Sequence, residues 1–382
     1  MDPIHFSEEH RMLRDQIRRF VEQEIRPNGD AWEQDGMVPR EVLRRMGELG
    51  FLGIRAPEQY GGSGMDTVGT AILAEELGRS TYGGVSATVL VHTDMASPHL
   101  LNFGTDAQFE KYLPRIIRGE IITAIAVTEP DAGSDVAGMR MRARRDGDHY
   151  VLDGRKMFIT NGVHADVLYI AAKTDTEVKG SRGVSMFIVE RGRPGFSVGQ
   201  TLDKMGWRSS DTAELVFDDC RIPAENLLGE ENKGFYSIMR NFQNERLTIG
   251  AMAIGESQKA IELTLEYVRE RKAFGATLFD KQAIRQRLSM LAAKVEAGRQ
   301  LVYHTAWLDA QGHDCVKEVS MIKAYCGELV NQVMYDCLQF HGGSGFIKES
   351  TIERMYRDAR VQSIGGGATE VMLEEIAKRM DG

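Results

Sequence analysis

Residues 125–135 read Ile-Ala-Val-Thr-Glu-Pro-Asp-Ala-Gly-Ser-Asp. The stretch starts as a short apolar strand and breaks at Pro130 into a turn rich in Asp, Gly and Ser, where backbone N–H groups and hydroxyls become free to hold a ligand. On local signals alone such a turn is an ordinary surface connection. Its weight comes from its flanks, because the period of the apolar residues changes across it.

Upstream, over residues 6–119, the spacing is helical. Met12, Leu13, Ile17, Phe20, Val21 and Ile25 share one face behind a Ser7 cap, and Pro27 is expected to stop the run. A second helix opens with Pro39, turns Val42, Leu43, Met46 and Leu49 inward and ends at Gly50. The Gly-rich loop 56–66 has no strand before it and no Lys placed to cradle a phosphate. Helices are expected again over 67–78, 85–103 and 106–119.

Downstream, over residues 120–229, the period is two. Met139, Met141 and Ala143 alternate with Arg140, Arg142 and Arg144, Asp146-Gly147-Asp148 makes a turn, and residues 149–153 run back as a hairpin. Strands at 156–160, 167–173, 184–190 and 213–217 predict a compact antiparallel sheet or barrel, left through a connection at 218–223. From about residue 232 the helical period returns. Residues 234–271 form one helix more than ~50 Å long at ~1.5 Å per residue, with 281–310, 316–340 and 351–361 as its partners in a four-helix bundle and a short last helix from Thr369. The expected class is α+β, mainly α, with an N-terminal helical domain (1–119), a middle antiparallel β domain (120–231) and a C-terminal four-helix bundle (232–382). There is no internal repeat and no βαβ alternation, so the Gly clusters make no Rossmann unit.

Composition narrows the function. With 382 residues, 42% of them hydrophobic, the chain can bury more than one core. A net charge of -9, with 47 basic against 56 acidic residues and no basic stripe, argues against nucleic acid as a partner. No segment approaches the roughly 20 apolar residues of a membrane span and the first residues resemble no signal peptide, so a cytoplasmic location is expected. The 4 cysteines form no C-x-x-C pair and the 9 histidines no H-E-x-x-H, which indicates neither a disulfide framework nor a metal site.

Eight motifs in order then carry a resemblance: Val127 to Asp135; Lys156-Met-Phe-Ile-Thr-Asn-Gly162; Lys204-Met-Gly-Trp207; Asp211-Thr-Ala-Glu-Leu215; Gly229 to Gly234; Arg271-Lys-Ala-Phe-Gly275; Gln339-Phe-His-Gly-Gly-Ser-Gly345; and Arg357-Asp-Ala-Arg360. From end to end the chain resembles an acyl-CoA dehydrogenase. Glu245-Arg246-Leu247, following Gly229-Glu-Glu-Asn-Lys-Gly-Phe235, is most similar to the long-chain and isovaleryl-type members.

That resemblance implies FAD. Val127, Thr128 and Ser134 would offer donors to the isoalloxazine edge and the phosphates, with Phe158, Ile159 and Thr160 packed beside the ring and Thr160 near N5. Phe158 stands where many relatives carry Trp, which keeps an aromatic plane and loses an indole N–H. Arg271, Phe274, Gln282, Gln339, Gly342 and Gly343 would reach the pyrophosphate and adenine of a flavin held mainly by another subunit, which implies a homotetramer built as a dimer of dimers. Ala368 and Glu370 complete the implied cofactor set. Phe242, Arg246, Gly365 and Ser134 are the implied substrate contacts, and an electron-transfer flavoprotein is the implied acceptor.

The implied reaction is α,β-dehydrogenation of an acyl-CoA thioester, which needs a carboxylate base. Many members take it from Ile-Tyr-Glu-Gly-Thr, where this chain has Ile364-Gly-Gly-Gly-Ala368. Gly366 cannot abstract a proton, and the resemblance to the isovaleryl- and long-chain-type members implies that Glu245 on the long helix supplies the base instead. Gly366 keeps a backbone N–H for the thioester oxygen, worth roughly 3 kcal/mol by analogy with one oxyanion donor. Together Gly365, Gly366 and Gly367 predict a roomier pocket, suited to long or branched acyl chains. An oxidase passing electrons to oxygen, and a catalytically silent flavin or acyl-CoA binding protein, are the alternatives.

Overall fold

The computed structural model describes residues 3–178 and 180–380. Its first part is helical: α1 (Glu8–Phe20), α2 (Arg26–Asp35), α3 (Arg40–Glu48), α4 (Thr67–Gly78), α5 (Gly83–Leu90), α6 (Ser97–Phe103) and α7 (Asp106–Ile117). Ser7 caps α1 as expected, its hydroxyl accepting from the His10 N–H at 3.2 Å. Pro27 does not stop the run. It removes the N–H that would bond the Gln23 carbonyl, and the chain absorbs the loss with a wide π-turn over Val21–Ile25 and continues into α2. The apolar face of α1 is also narrower than expected. Ile17 and Phe20 are buried while Met12 is 56% exposed, and in α3 Leu43 and Met46 face inward while Leu49 lies past the helix end, exposed.

The strands are β1 (Thr123–Ala126), β2 (Arg142–Asp146), β3 (His149–Thr160), β4 (Val167–Lys173), β5 (Val184–Glu190), β6 (Phe196–Thr201), β7 (Thr212–Pro223) and β8 (Leu227–Leu228). They form one sheet in the order β6-β7-β3-β2-β4-β5-β8, with β1 added beside β4. The sheet is mixed, correcting the antiparallel expectation, because β1 runs parallel to β4 from Thr123↔Val167 to Ala126↔Ile170 and β2 meets β4 parallel at Arg142↔Lys173. β4 is buried on both faces, which explains its unbroken apolar sequence: Leu168, Ile170 and Ala172 fill the interior of the sheet, and Val167, Tyr169 and Ala171 meet the helices. Residues 218–223 are strand, not connection, and pair with the far end of β3.

The C-terminal part holds α8 (Gly234–Glu270), a small hairpin of β9 (Lys272–Ala273) and β10 (Ala276–Thr277), then α9 (Gln282–Ala310), α10 (Val316–His341), α11 (Thr351–Ala359) and α12 (Thr369–Ala377). Its 37-residue α8 is the longest element and is buried along much of its length. One apolar core runs from α1, α3 and α4 through the middle of α8 into α9 and α10, so the first helices and the bundle solidify together. The crossing of α4 on α8 is as close as backbones allow: a Cβ on Gly255 would lie 1.9 Å from the Glu75 carbonyl oxygen, and one on Gly78 2.3 Å from that of Met252. No described helix is long and apolar enough to cross a membrane.

Candidate functional site

The site begins where β1 ends. Lys156, on β3 and fully buried, donates to the Val127 carbonyl at 2.9 Å and to Glu129 Oε1 at 2.8 Å. Glu129 in turn accepts from the N–H groups of Arg140 (2.6 Å) and Met141 (3.1 Å), and Met157 N–H donates to the Thr128 carbonyl at 2.9 Å. Burial lowers the Lys156 ammonium to about 8 against the pull of Glu129. These bonds fix the Val127–Glu129 backbone against β3 and leave the following turn, with Gly133 and Ser134, in solvent.

One residue further, the ladder between β3 and β7 slips and Phe158 takes φ +61°, a left-handed backbone that bulky side chains rarely adopt. Its ring is 67% exposed. An aromatic plane held outward on strained backbone, beside the polar groups of Thr128 and Thr160, is a fitting support for a planar heterocycle. Ile159 is turned the other way, buried among the sheet's interior residues, so its side chain does not face a ligand at this surface.

Across from this edge lies a second π-turn, Val91–Ala96, between α5 and α6. Pro98 is its cause, since it has no N–H for the Asp94 carbonyl one turn earlier. The freed carbonyls are taken up by α8: Asn244 Nδ2 donates to Asp94 O at 2.7 Å and Asn241 Nδ2 to Met95 O at 2.8 Å. The same Asn241 Nδ2 lies 3.1 Å from Glu245 Oε1. Glu245 is therefore held by an amide that is itself anchored on the proline-induced turn. It is 6% exposed, and burial raises its carboxyl to about 8, against the pull of Asn241 and Arg246. The π-turn also ties the two halves of the site together, because the Thr123 N–H of β1 donates to His92 Nδ1 at 3.1 Å. Val127 and Phe242 pack on one apolar cluster.

The third component is the turn before α12. Gly366 has φ +67° and Gly367 φ +112°. A Cβ on Gly366 would lie 2.4 Å from Ile249 Cδ1, and one on Gly367 3.7 Å from Arg246 Nε. Ile249 is one helical turn beyond Glu245 on the same face of α8, so the turn and the carboxylate lie side by side. Gly366 is exposed, and its N–H donates to no acceptor among the described residues. Arg246 is 9% exposed, lies over the Phe242 ring at 5.6 Å and has no partner for its Nε. The expected extra room is confined to Gly365, whose Cβ would meet nothing nearer than Val361 at 3.7 Å. At Gly366 the space is filled by Ile249 and at Gly367 by Met372. Ala368 and the exposed Glu370 begin α12 beyond the turn.

The remaining expected residues gather elsewhere. Arg271 ends α8, Phe274 sits 96% exposed on the β9–β10 turn, Gln282 begins α9, and Gln339, Gly342 and Gly343 end α10. These helix ends are held together by Tyr267, which stacks on His341 at 4.3 Å. Arg271 lies twenty-six residues beyond Glu245, about 39 Å along the helix at ~1.5 Å per residue, so the two groups do not meet within one chain. Asn241, Asn244 and Lys323 escaped the sequence reading. Lys323 alone left a trace, as a cation in the stripe Val319, Cys326, Val330 of an otherwise apolar helix face.

Comparison with known proteins agrees with this geometry. Residues 7–120, 124–220 and 232–381 match the family profiles described as acyl-CoA dehydrogenase N-terminal, middle and C-terminal domain. The long-chain specific acyl-CoA dehydrogenase of Mus musculus is 42% identical, over 98% of this chain and 87% of its own length. Isovaleryl-CoA dehydrogenase of Pongo abelii is 40% identical, over 96% and 87%. The solved acyl-CoA dehydrogenase of Geobacillus kaustophilus superposes with a TM-score of 0.96 at 40% identity, covering 100% of both chains. The chain belongs to the acyl-CoA dehydrogenase family of FAD-dependent oxidoreductases.

Proposed function

We propose that Glu245 removes the α proton of an acyl-CoA thioester and that the backbone N–H of Gly366 holds the thioester oxygen, with a saturated long-chain or branched acyl-CoA as substrate. One juxtaposition carries this reading: a buried carboxylate on the face of α8 that touches a turn with an unused N–H. In that arrangement Glu245 takes the proton, and the electron pair of the α C–H bond moves into the carbonyl as an enolate held by Gly366. The pair returns to form the α,β double bond as a hydride leaves the β carbon, giving the trans-2-enoyl-CoA. Bound FAD supplies the acceptor for that hydride. A base that titrates near 8 is better matched to a weak carbon acid than an ordinary carboxylate is.

Bound FAD would have its ring supported by Phe158, its edge met by Thr128 and Val127 and its reactive nitrogen near Thr160, and Ser134 would reach phosphate or pantetheine. Ile159 contributes backbone only. Phe242, Arg246 and Gly365 line the acyl and thioester region. Arg271, Phe274, Gln282, Gln339, Gly342 and Gly343 serve the flavin of a neighbouring subunit, and the about 39 Å between Arg271 and Glu245 supports that assignment. An electron-transfer flavoprotein re-oxidises the enzyme, as in some homologues.

The test is anaerobic bleaching of the yellow holoenzyme by acyl-CoAs of graded length and branching. Glu245→Gln is expected to slow bleaching by about 10²–10⁴-fold while leaving acyl-CoA binding in place. A variant that bleaches as fast as the parent refutes the assignment of the base.

A further inference from the structure

We infer that Lys323 is a positioning residue for the thioester site, clamping the Gly366 turn from beneath so that its N–H is held at the oxygen where negative charge develops. The inference rests on the proposed role of Gly366. Lys323 lies on α10, is fully buried, and donates to the carbonyls of Gln362 at 2.6 Å and Gly367 at 2.9 Å. Those two carbonyls stand at the two ends of the turn, and a single ammonium joins them across the intervening residues. Between the ends lie the two left-handed glycines, which have no rigidity of their own. Gln362 is held in addition by Glu256, to which its amide donates.

The charge of Lys323 matters as much as its reach. Among the described residues its Nζ forms no ion pair; two carbonyls solvate it directly in the interior, and Glu328 attracts it from beyond ion-pair distance. The Lys323 Cε lies 3.8 Å from where a Gly366 side chain would begin. A buried cation without an ion-pair partner, beside the Gly366 backbone, is stabilised more by an enolate held there than by a neutral thioester. That difference is what lowers a barrier. Arg246 stands nearby, and its proximity helps burial to lower the Lys323 ammonium to about 8.

The experiment compares two ligands on the holoenzyme. A 3-oxoacyl-CoA, which ionises to an enolate, and the neutral 2-enoyl-CoA are titrated into parent, Lys323→Met and Lys323→Gln while the flavin spectrum is followed. Lys323→Met is expected to weaken the enolate ligand about tenfold or more relative to the enoyl ligand, and to lower kcat by about 10²-fold with a small change in KM. Lys323→Gln, which keeps one donor, should fall between. Equal weakening of both ligands, or no weakening, overturns the inference and leaves Gly366 untouched. A parent enzyme that shows no preference for the enolate ligand overturns the reading of Gly366 and this inference with it. Should Lys323→Met fail to accumulate as folded protein, the same ratio measured on Lys323→Gln decides.

Discussion

Glu245 is a residue that the fold tolerates at a cost. In the unfolded chain its carboxyl titrates near 4.5 and in the fold near 8. Below the lower value both states are protonated and there is no penalty. As pH rises between the two, only the unfolded chain gives up its proton, so stability is lost until the folded carboxyl also ionises. Glu245→Gln removes that loss. Urea unfolding should show the variant gaining on the parent by on the order of 3 kcal/mol between pH 5 and pH 8. A gap that does not change with pH would show that the carboxyl ionises freely in place. The proposal of this carboxylate came from the chain itself, where Gly366 stands at the position of the common base and Glu245 lies on the long helix. Its surroundings were not legible there. Asn241 is its i,i+4 neighbour on α8, but the carbonyl that anchors Asn241, Met95 O, is exposed by a π-turn before Pro98, well over a hundred residues away, and no local pattern on α8 reports that. At Gly366 the glycine is required twice over, by φ +67° and by Ile249 at 2.4 Å, whereas Gly365 has open space. Steady-state assays should find Gly366→Ala slowed by about 10²-fold and Gly365→Ala changed mainly in its preference among acyl chains.

Among the elements, those bounded by clear caps or turns were legible. The span 67–78 of α4, capped by Asp66, and the spans 167–173 and 184–190 of β4 and β5, apolar strands buried along all but their last residue, coincide with the expected ones. Where the elements departed, backbone chemistry overrode pattern. Pro27 reads as a stop, yet a π-turn carries the helix past it, and the single helix expected over 85–103 is divided by a second π-turn ahead of Pro98. In α8, Gly250 and Gly255 serve as contact points for Ile322 and for the α4 backbone. Gly255→Ala is a clean test of that use. The added methyl has a carbonyl oxygen 1.9 Å away and no flexible side chain to displace, so the two helices must part. Thermal unfolding should register a loss of about 3 kcal/mol, against no measurable loss for Gly133→Ala, whose methyl would meet nothing within 4 Å. Equal melting temperatures for the two variants would mean that the crossing is looser than described.

At the scale of the whole molecule, order of regions was the most legible property: helices, sheet, helices, with eight motifs in register along them. What the chain could not report is distance. Arg271 and Glu245 lie on one helix and belong to one implied site, yet about 39 Å of rigid helix separates them. If the flavin of each site is held by two subunits, a complex built from two differently damaged subunits contains one intact site. Co-expressed Glu245→Gln and Arg271→Glu subunits supply it, since the partner damaged at 271 brings Glu245 and the partner damaged at 245 brings Arg271. With random pairing half of the dimers are mixed and one of their two sites is whole, so activity should return to about a quarter of the parent value although each variant alone is inactive. The regained activity should elute with an assembly at least twice the mass of the 42.7 kDa chain. If the mixture stays as inactive as its components while mixed assemblies are demonstrably present, each chain serves its own flavin and the long helix has to be connected to the site by some other route.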